Sequence, residues 1–118
     1  PLAPSPFLAI VIGAIGGVIV FFGTGLLLRL KIDDVVGAIP VHGFAGIFGT
    51  LVVPLSNSAA NFGTQLYGIL WINIFVFIVA FVVWYLMKVT VGIRISEEAE
   101  KLGTDKAEVG VMAYSIRD

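Results

Sequence analysis

The sequence predicts an all-α protein that lies in a membrane, and three observations carry that prediction. Of the 118 residues, 58% are hydrophobic and only 13% charged, where a typical soluble domain carries about 25% charged residues. Mean hydropathy is +1.05. The few charges are also segregated: none falls between Phe7 and Leu28, between Val35 and Gly63, or between Thr64 and Met87. Runs of this kind supply the roughly 20 apolar residues that a helix needs to cross a bilayer. Helices are the natural choice there, because lipid offers no partner to an unpaired backbone N–H or C=O. The predicted organisation is a membrane domain over residues 1–89, with helices at about 7–30, 41–54 and 65–88, followed by a polar tail over 90–118.

The first six residues include Pro1, Pro4 and Pro6, so they read as an extended loop from which a helix can start only at the last proline. The first helix carries Ala9, Gly13 and Gly17 at four-residue spacing, a stripe of small residues that lets a neighbouring helix backbone approach. Arg29, Lys31, Asp33 and Asp34 then form a short charged connection. The next apolar segment is interrupted by Pro40 and stops near Pro54. Its regular part is expected over Val41 to Val53, about 20 Å long, which is short for a span. Val35 to Ile39 is therefore expected at membrane depth in irregular form, tolerable only when buried in protein or lining a cavity.

Ser56 to Phe62 is an uncharged polar turn with Asn57 and Asn61. The third helix, about Gln65 to Lys88, has Tyr67 and Trp71 near one end and Trp84 and Tyr85 near the other, the placement of aromatic belts at two membrane interfaces. Asn73 inside it is expected to bond a neighbouring helix, with a substrate contact as the alternative. In the tail, Ser96 can cap a helical turn that Gly103 ends, and Asp105 with Glu108 resembles a second capping pair ended by Gly110. That tail reads either as a solvated acidic segment or as one docked on the membrane domain. Basic residues flank the first connection and follow the third helix, while the second connection has no charge. The rule that basic loops stay inside puts the first loop and the tail in the cytoplasm and the N-terminal end outside.

These features exclude several function classes. A net charge of −1 gives no basic footprint for nucleic acid. The absence of cysteine removes disulfides, thiolate nucleophiles and cysteine metal sites. No serine or threonine is paired with a base, so a hydrolase is not expected, nor any other enzyme, and no cofactor is called for. The Asp33-Asp34 pair sits beside Arg29 and Lys31, where neutralisation or helix capping suits it better than metal ligation. There is no basic n-region with a short apolar core, and the chain is expected to be an interior or C-terminal part of something longer.

One residue stands out chemically. His42, the only histidine, lies in an apolar run, and an ionisable group at membrane depth is by default a candidate functional site. A neutral imidazole offers one donor and one acceptor nitrogen, enough to hold a small polar molecule or relay its proton. Gly46 and Gly49 follow at i+4 and i+7, leaving a face without side chains beneath the ring. That face suits a channel wall or a helix-packing groove equally, and His42 itself could simply make an interhelical hydrogen bond.

The stretch Asp33-Asp34-Val-Val-Gly-Ala-Ile-Pro-Val-His42-Gly43-Phe-Ala-Gly46-Ile-Phe-Gly49-Thr resembles the segment of ammonium transporters (the Amt/Mep/Rhesus family) that enters the tenth membrane helix. Thr90-Val-Gly92-Ile-Arg94-Ile-Ser-Glu97-Glu98-Ala-Glu100, Gly103-Thr-Asp105 and Gly110-Val-Met-Ala113-Tyr114 are similar to the tail that closes the same family. The resemblance covers nearly the whole chain. It implies the last three helices of an eleven-helix bundle plus a cytoplasmic tail, a homotrimer with one pore per subunit, and conduction of ammonium or ammonia across the plasma membrane. His42 takes the place of the second member of a mid-pore histidine pair, with Ala38 and Gly46 assigned to the same conduit. Asp33, Asp34, Gly92, Arg94, Glu97, Asp105, Gly110 and Tyr114 are assigned to docking of loop and tail, where PII-type regulators act on many members. Val109 and Thr104 stand where the family often has histidine and leucine. The other pore groups are expected on helices preceding Pro1, so the lipid bilayer and those helices are expected partners. The rival readings are the membrane portion of an ammonium-responsive sensor, into which Ser115-Ile-Arg-Asp118 could lead, and an inert truncation.

Overall fold

The computed structural model describes residues 4–112, and every regular element among them is helical. The chain divides into two units, Pro1–Val76 and Phe77–Asp118.

Helix α1 spans Pro6–Arg29. Ser5 starts it, its Oγ accepting the Leu8 N–H at 3.3 Å, and Pro6 occupies the first helical position, where a missing N–H costs nothing. At the other end Lys31 takes the left-handed conformation at φ 56°. The Lys31 N–H returns to Leu28 O at 3.1 Å and the Ile32 N–H to Leu27 O at 3.0 Å. This pair of bonds satisfies carbonyls that the helix end would otherwise leave open.

The second apolar segment is helical over Ile39–Leu55, in three pieces: a π-helical turn Ile39–Phe44, helix α2 at Ala45–Leu51 and a 3₁₀ turn Val53–Leu55. The sequence expectation placed the regular helix after Pro40. Instead Pro40 lies in the first turn, where its missing N–H is tolerated, and the irregular stretch ends sooner. At 17 residues the segment is about 25 Å long, shorter than the roughly 30 Å hydrocarbon layer.

Asn61 opens helix α3, Phe62–Thr90, with its Oδ1 accepting the Thr64 N–H at 3.2 Å. Tyr67 and Trp71 meet edge to face at 6.1 Å between ring centroids. In the second unit Phe77, Phe81 and Tyr85 stack one turn apart at 6.4 and 6.2 Å. Asn73, expected to bond a neighbouring helix, here donates its Nδ2 to Ile69 O of its own helix at 2.8 Å.

In the tail, helix α4 spans Glu97–Leu102, and Ser96 caps it through the Ala99 N–H at 3.2 Å. Gly103, at φ 93°, ends it. The second expected turn ends at Gly110, left-handed at φ 76°. Asp105 is the first residue of that π-helical turn, Asp105–Val109, and Thr104 holds the position before it.

Among the described residues, α1 and α3 are the two helices long and apolar enough to cross a membrane. Their side chains are largely exposed within the chain: Phe21, Phe75 and Phe77 are each about 70% exposed. Such extensive apolar surface needs lipid or further protein against it. The buried cluster among the described residues of the first unit joins α1 to the broken segment: Gly23, Leu27 and Pro40 are buried. A Cβ on Gly23 would fall 2.6 Å from Phe44 Cδ2 and 3.1 Å from Pro40 Cβ. Glycine is thus what lets the proline turn seat on α1. Apart from the helix's own adjoining residues, no heavy atom among the described residues lies within 4 Å of a Cβ built on Gly13 or Gly17, so the glycines of the expected small-residue stripe are not covered by them.

Candidate functional site

The site is built around the start of the broken helix. A helix end leaves its first amides without partners, and here Asp34 supplies them from upstream. Its Oδ1 accepts the Ala38 N–H and its Oδ2 the Ile39 N–H, both at 2.8 Å. Its backbone carbonyl accepts the Gly37 N–H at 3.2 Å. Pro40 has no N–H to satisfy, and the Val41 N–H reaches Gly37 O at 3.1 Å. Folding the chain back in this way requires Gly37 at φ 69°, a conformation that costs other residues about 1–2 kcal/mol. Between neutralisation and capping, the two roles open for the acidic pair, Asp34 takes capping.

The next turn is π-helical, with the Ala45 N–H reaching back to Pro40 O. Wide turns of this kind often occur at functional sites, and this one contains His42. The imidazole is exposed and faces a groove of about 340 Å³, lined by His42, Gly46 and Thr50 on one side and Gln65, Gly68 and Asn73 of α3 on the other. Thr50 and Asn73 are tied back to their own helices, the Thr50 Oγ1 donating to Gly46 O at 2.9 Å. His42 has no side-chain hydrogen bond among the described residues, so the plainer role of an interhelical bond is not filled there. An imidazole with free nitrogens in a mostly apolar groove can bind a small hydrogen-bonding molecule and pass a proton.

Of the residues assigned to conduction, His42 and Gly46 share this groove, and Ala38 does not line it. Asp33, Asp34 and Gly37 instead line a second cavity of about 440 Å³, with Thr24, Leu28 and Lys31. In the second unit Gly92, at φ 81°, stops α3 by returning its N–H to Met87 O at 3.0 Å. Arg94 Nη2 contacts both carboxylate oxygens of Glu100 at 3.0 and 2.9 Å, an exposed pair of small energetic weight. Glu97 opens α4, Asp105 lies in the following turn, and Gly110 is left-handed at φ 76°. Tyr114 and Ser115 to Asp118 lie outside the described residues. Sequence reasoning missed Gly23. With Gly13, Gly16, Gly17, Gly23 and Gly25 all on one helix, no local pattern tells which glycine the partner crosses.

Residues 3–114 match the Ammonium Transporter Family. The chain is 36% identical over 93% of its length to the Ammonium transporter Amt2 of Archaeoglobus fulgidus, covering 28% of that protein. It is 37% identical over 89% of its length to the Ammonium transporter Amt1 of Haloferax mediterranei, covering 21% of it. With the Ammonium transporter of Bacillus subtilis it shares 33% identity over 93% of its length, covering 31%. The chain therefore spans between about a fifth and a third of the length of these curated relatives. No solved structure matches it. Two membrane-capable apolar helices, a broken helix bearing the sole histidine and a match over almost every residue lead to one assignment: the chain belongs to the ammonium transporter family.

Proposed function

We propose that this chain is the C-terminal portion of a membrane transporter that conducts ammonium or ammonia, and that His42 supplies one imidazole of a mid-pore histidine pair. The observation that carries the reading is the position of His42, exposed on a π-helical turn at the start of a broken apolar helix, with no hydrogen-bond partner among the described residues. Full dehydration of a cation is far costlier than passage of neutral ammonia, and an imidazole pair can relay the proton separately. The second imidazole belongs to a helix upstream of this chain. Gly46 leaves room beside the ring, and Ala38 lies one turn before it. The reading includes three spans of an eleven-helix bundle, a homotrimer, the N-terminal end outside and a cytoplasmic tail. It also assigns the docking of loop and tail to the residues named for it, with a PII-type regulator as partner.

The test is His42→Ala in the complete protein, reconstituted in vesicles. Ammonium flux and its selectivity over potassium are expected to change together, by roughly ten-fold or more, a magnitude typical of a lost proton-transfer group. If both stay at the wild-type level, His42 is not a pore group.

A further inference from the structure

We propose that Asp34 is a positioning residue for His42: its carboxylate clamps the start of the broken helix and so sets the register that points the imidazole into the groove. The inference rests on the pore reading of His42. Two fixed points define where a helix residue projects, a lateral contact and an axial start. The lateral contact is Pro40, fully buried in the notch where a Cβ on Gly23 would fall 3.1 Å from the proline Cβ and 2.6 Å from Phe44 Cδ2. The axial start is Asp34. Its two carboxylate oxygens take the Ala38 and Ile39 amides at 2.8 Å each, and its carbonyl takes the Gly37 amide at 3.2 Å. Three consecutive amides thus close on one residue. Pro40 contributes no N–H, and the first backbone bond into the helix is Val41 to Gly37.

The usual cap reaches its amides from the residue adjoining the helix. Here it comes from four and five residues upstream, because Gly37 at φ 69° turns the chain back over the helix end. A slip of one residue at this end would rotate His42 by about 100°, enough to carry the ring off the groove. The two oxygens bond neighbouring amides, so a single-residue slip breaks at least one bond. A charged acceptor binding two amides is stronger than a neutral cap, which suits a turn that proline and glycine would otherwise leave loose.

Asp34→Asn keeps one acceptor oxygen and Asp34→Ala keeps none. Both are made in the complete protein, with and without His42→Ala, and two quantities are read: hydrogen exchange over residues 38–41, and the ammonium-to-potassium flux ratio in vesicles. Exchange is expected to rise roughly ten-fold in Asp34→Ala and less in Asp34→Asn. The flux ratio is expected to fall roughly ten-fold when His42 is present and by less than about two-fold when it is absent, the non-additivity of groups acting as a unit. Should Asp34→Ala fail to fold, Asp34→Asn carries the same comparison. Unchanged exchange in the variants, or a flux ratio that falls equally in both backgrounds, overturns the clamp. An unchanged flux ratio in His42→Ala alone overturns the pore reading, and the inference with it, whatever exchange shows.

Discussion

Gly23 shows how much one absent side chain can decide. The other glycines on α1 have open space beside them, yet at this position a Cβ would meet the Phe44 ring at 2.6 Å and Pro40 at 3.1 Å. Pro40 is fully buried and cannot give way without moving the π-helical turn that carries His42. Gly23→Ala is therefore expected to lower stability by about 1–3 kcal/mol, the cost of overpacking a filled contact, despite the better helix propensity of alanine. Thermal unfolding of the complete protein measures this, and an unchanged or raised midpoint would show that the contact yields freely. Asp34 teaches the complementary lesson, since its type and its neighbours made capping legible. Which amides it caps depended on the turn at Gly37.

At the scale of elements, the charge-free runs located α1 and α3 to within a few residues, because a polar backbone in lipid has few alternatives to a helix. The middle segment was harder. A proline reads locally as a helix breaker, but in a first turn it removes only an N–H that has no partner anyway, so the helix begins before Pro40 rather than after it. Asn73 likewise bonds its own helix at Ile69, a choice that intrahelical geometry offers any asparagine and that sequence cannot rank against a partner across the groove. The end of α1 carries a further test. Lys31 holds a left-handed conformation at φ 56°, where glycine is unstrained, so Lys31→Gly is expected to stabilise the closure by about 1 kcal/mol. A thermal midpoint that falls instead would mean that the lysine charge matters more than the backbone strain.

At the scale of the whole molecule, the exposed apolar faces are the dominant fact. The stripe at Ala9, Gly13 and Gly17 meets no other element among the described residues at its glycines, and the chain covers at most about a third of the relatives described above. If upstream helices close on that stripe, Gly13→Leu in the complete protein should cost about 1–3 kcal/mol by overpacking. A neutral or stabilising effect, as expected for an open helix face, would count against the proposed bundle. The sequence by itself determined the membrane character, the approximate extent of the two long helices and the singular position of His42, because each follows from charge and hydropathy acting locally along the chain. Only the tertiary structure decided that Pro40 seats against Gly23, that Asp34 closes the helix start and that His42 and Gly46 share a groove with α3. Those outcomes depend on which residues from distant parts of the chain arrive at the same place, and spacing along one helix carries no record of where another crosses it.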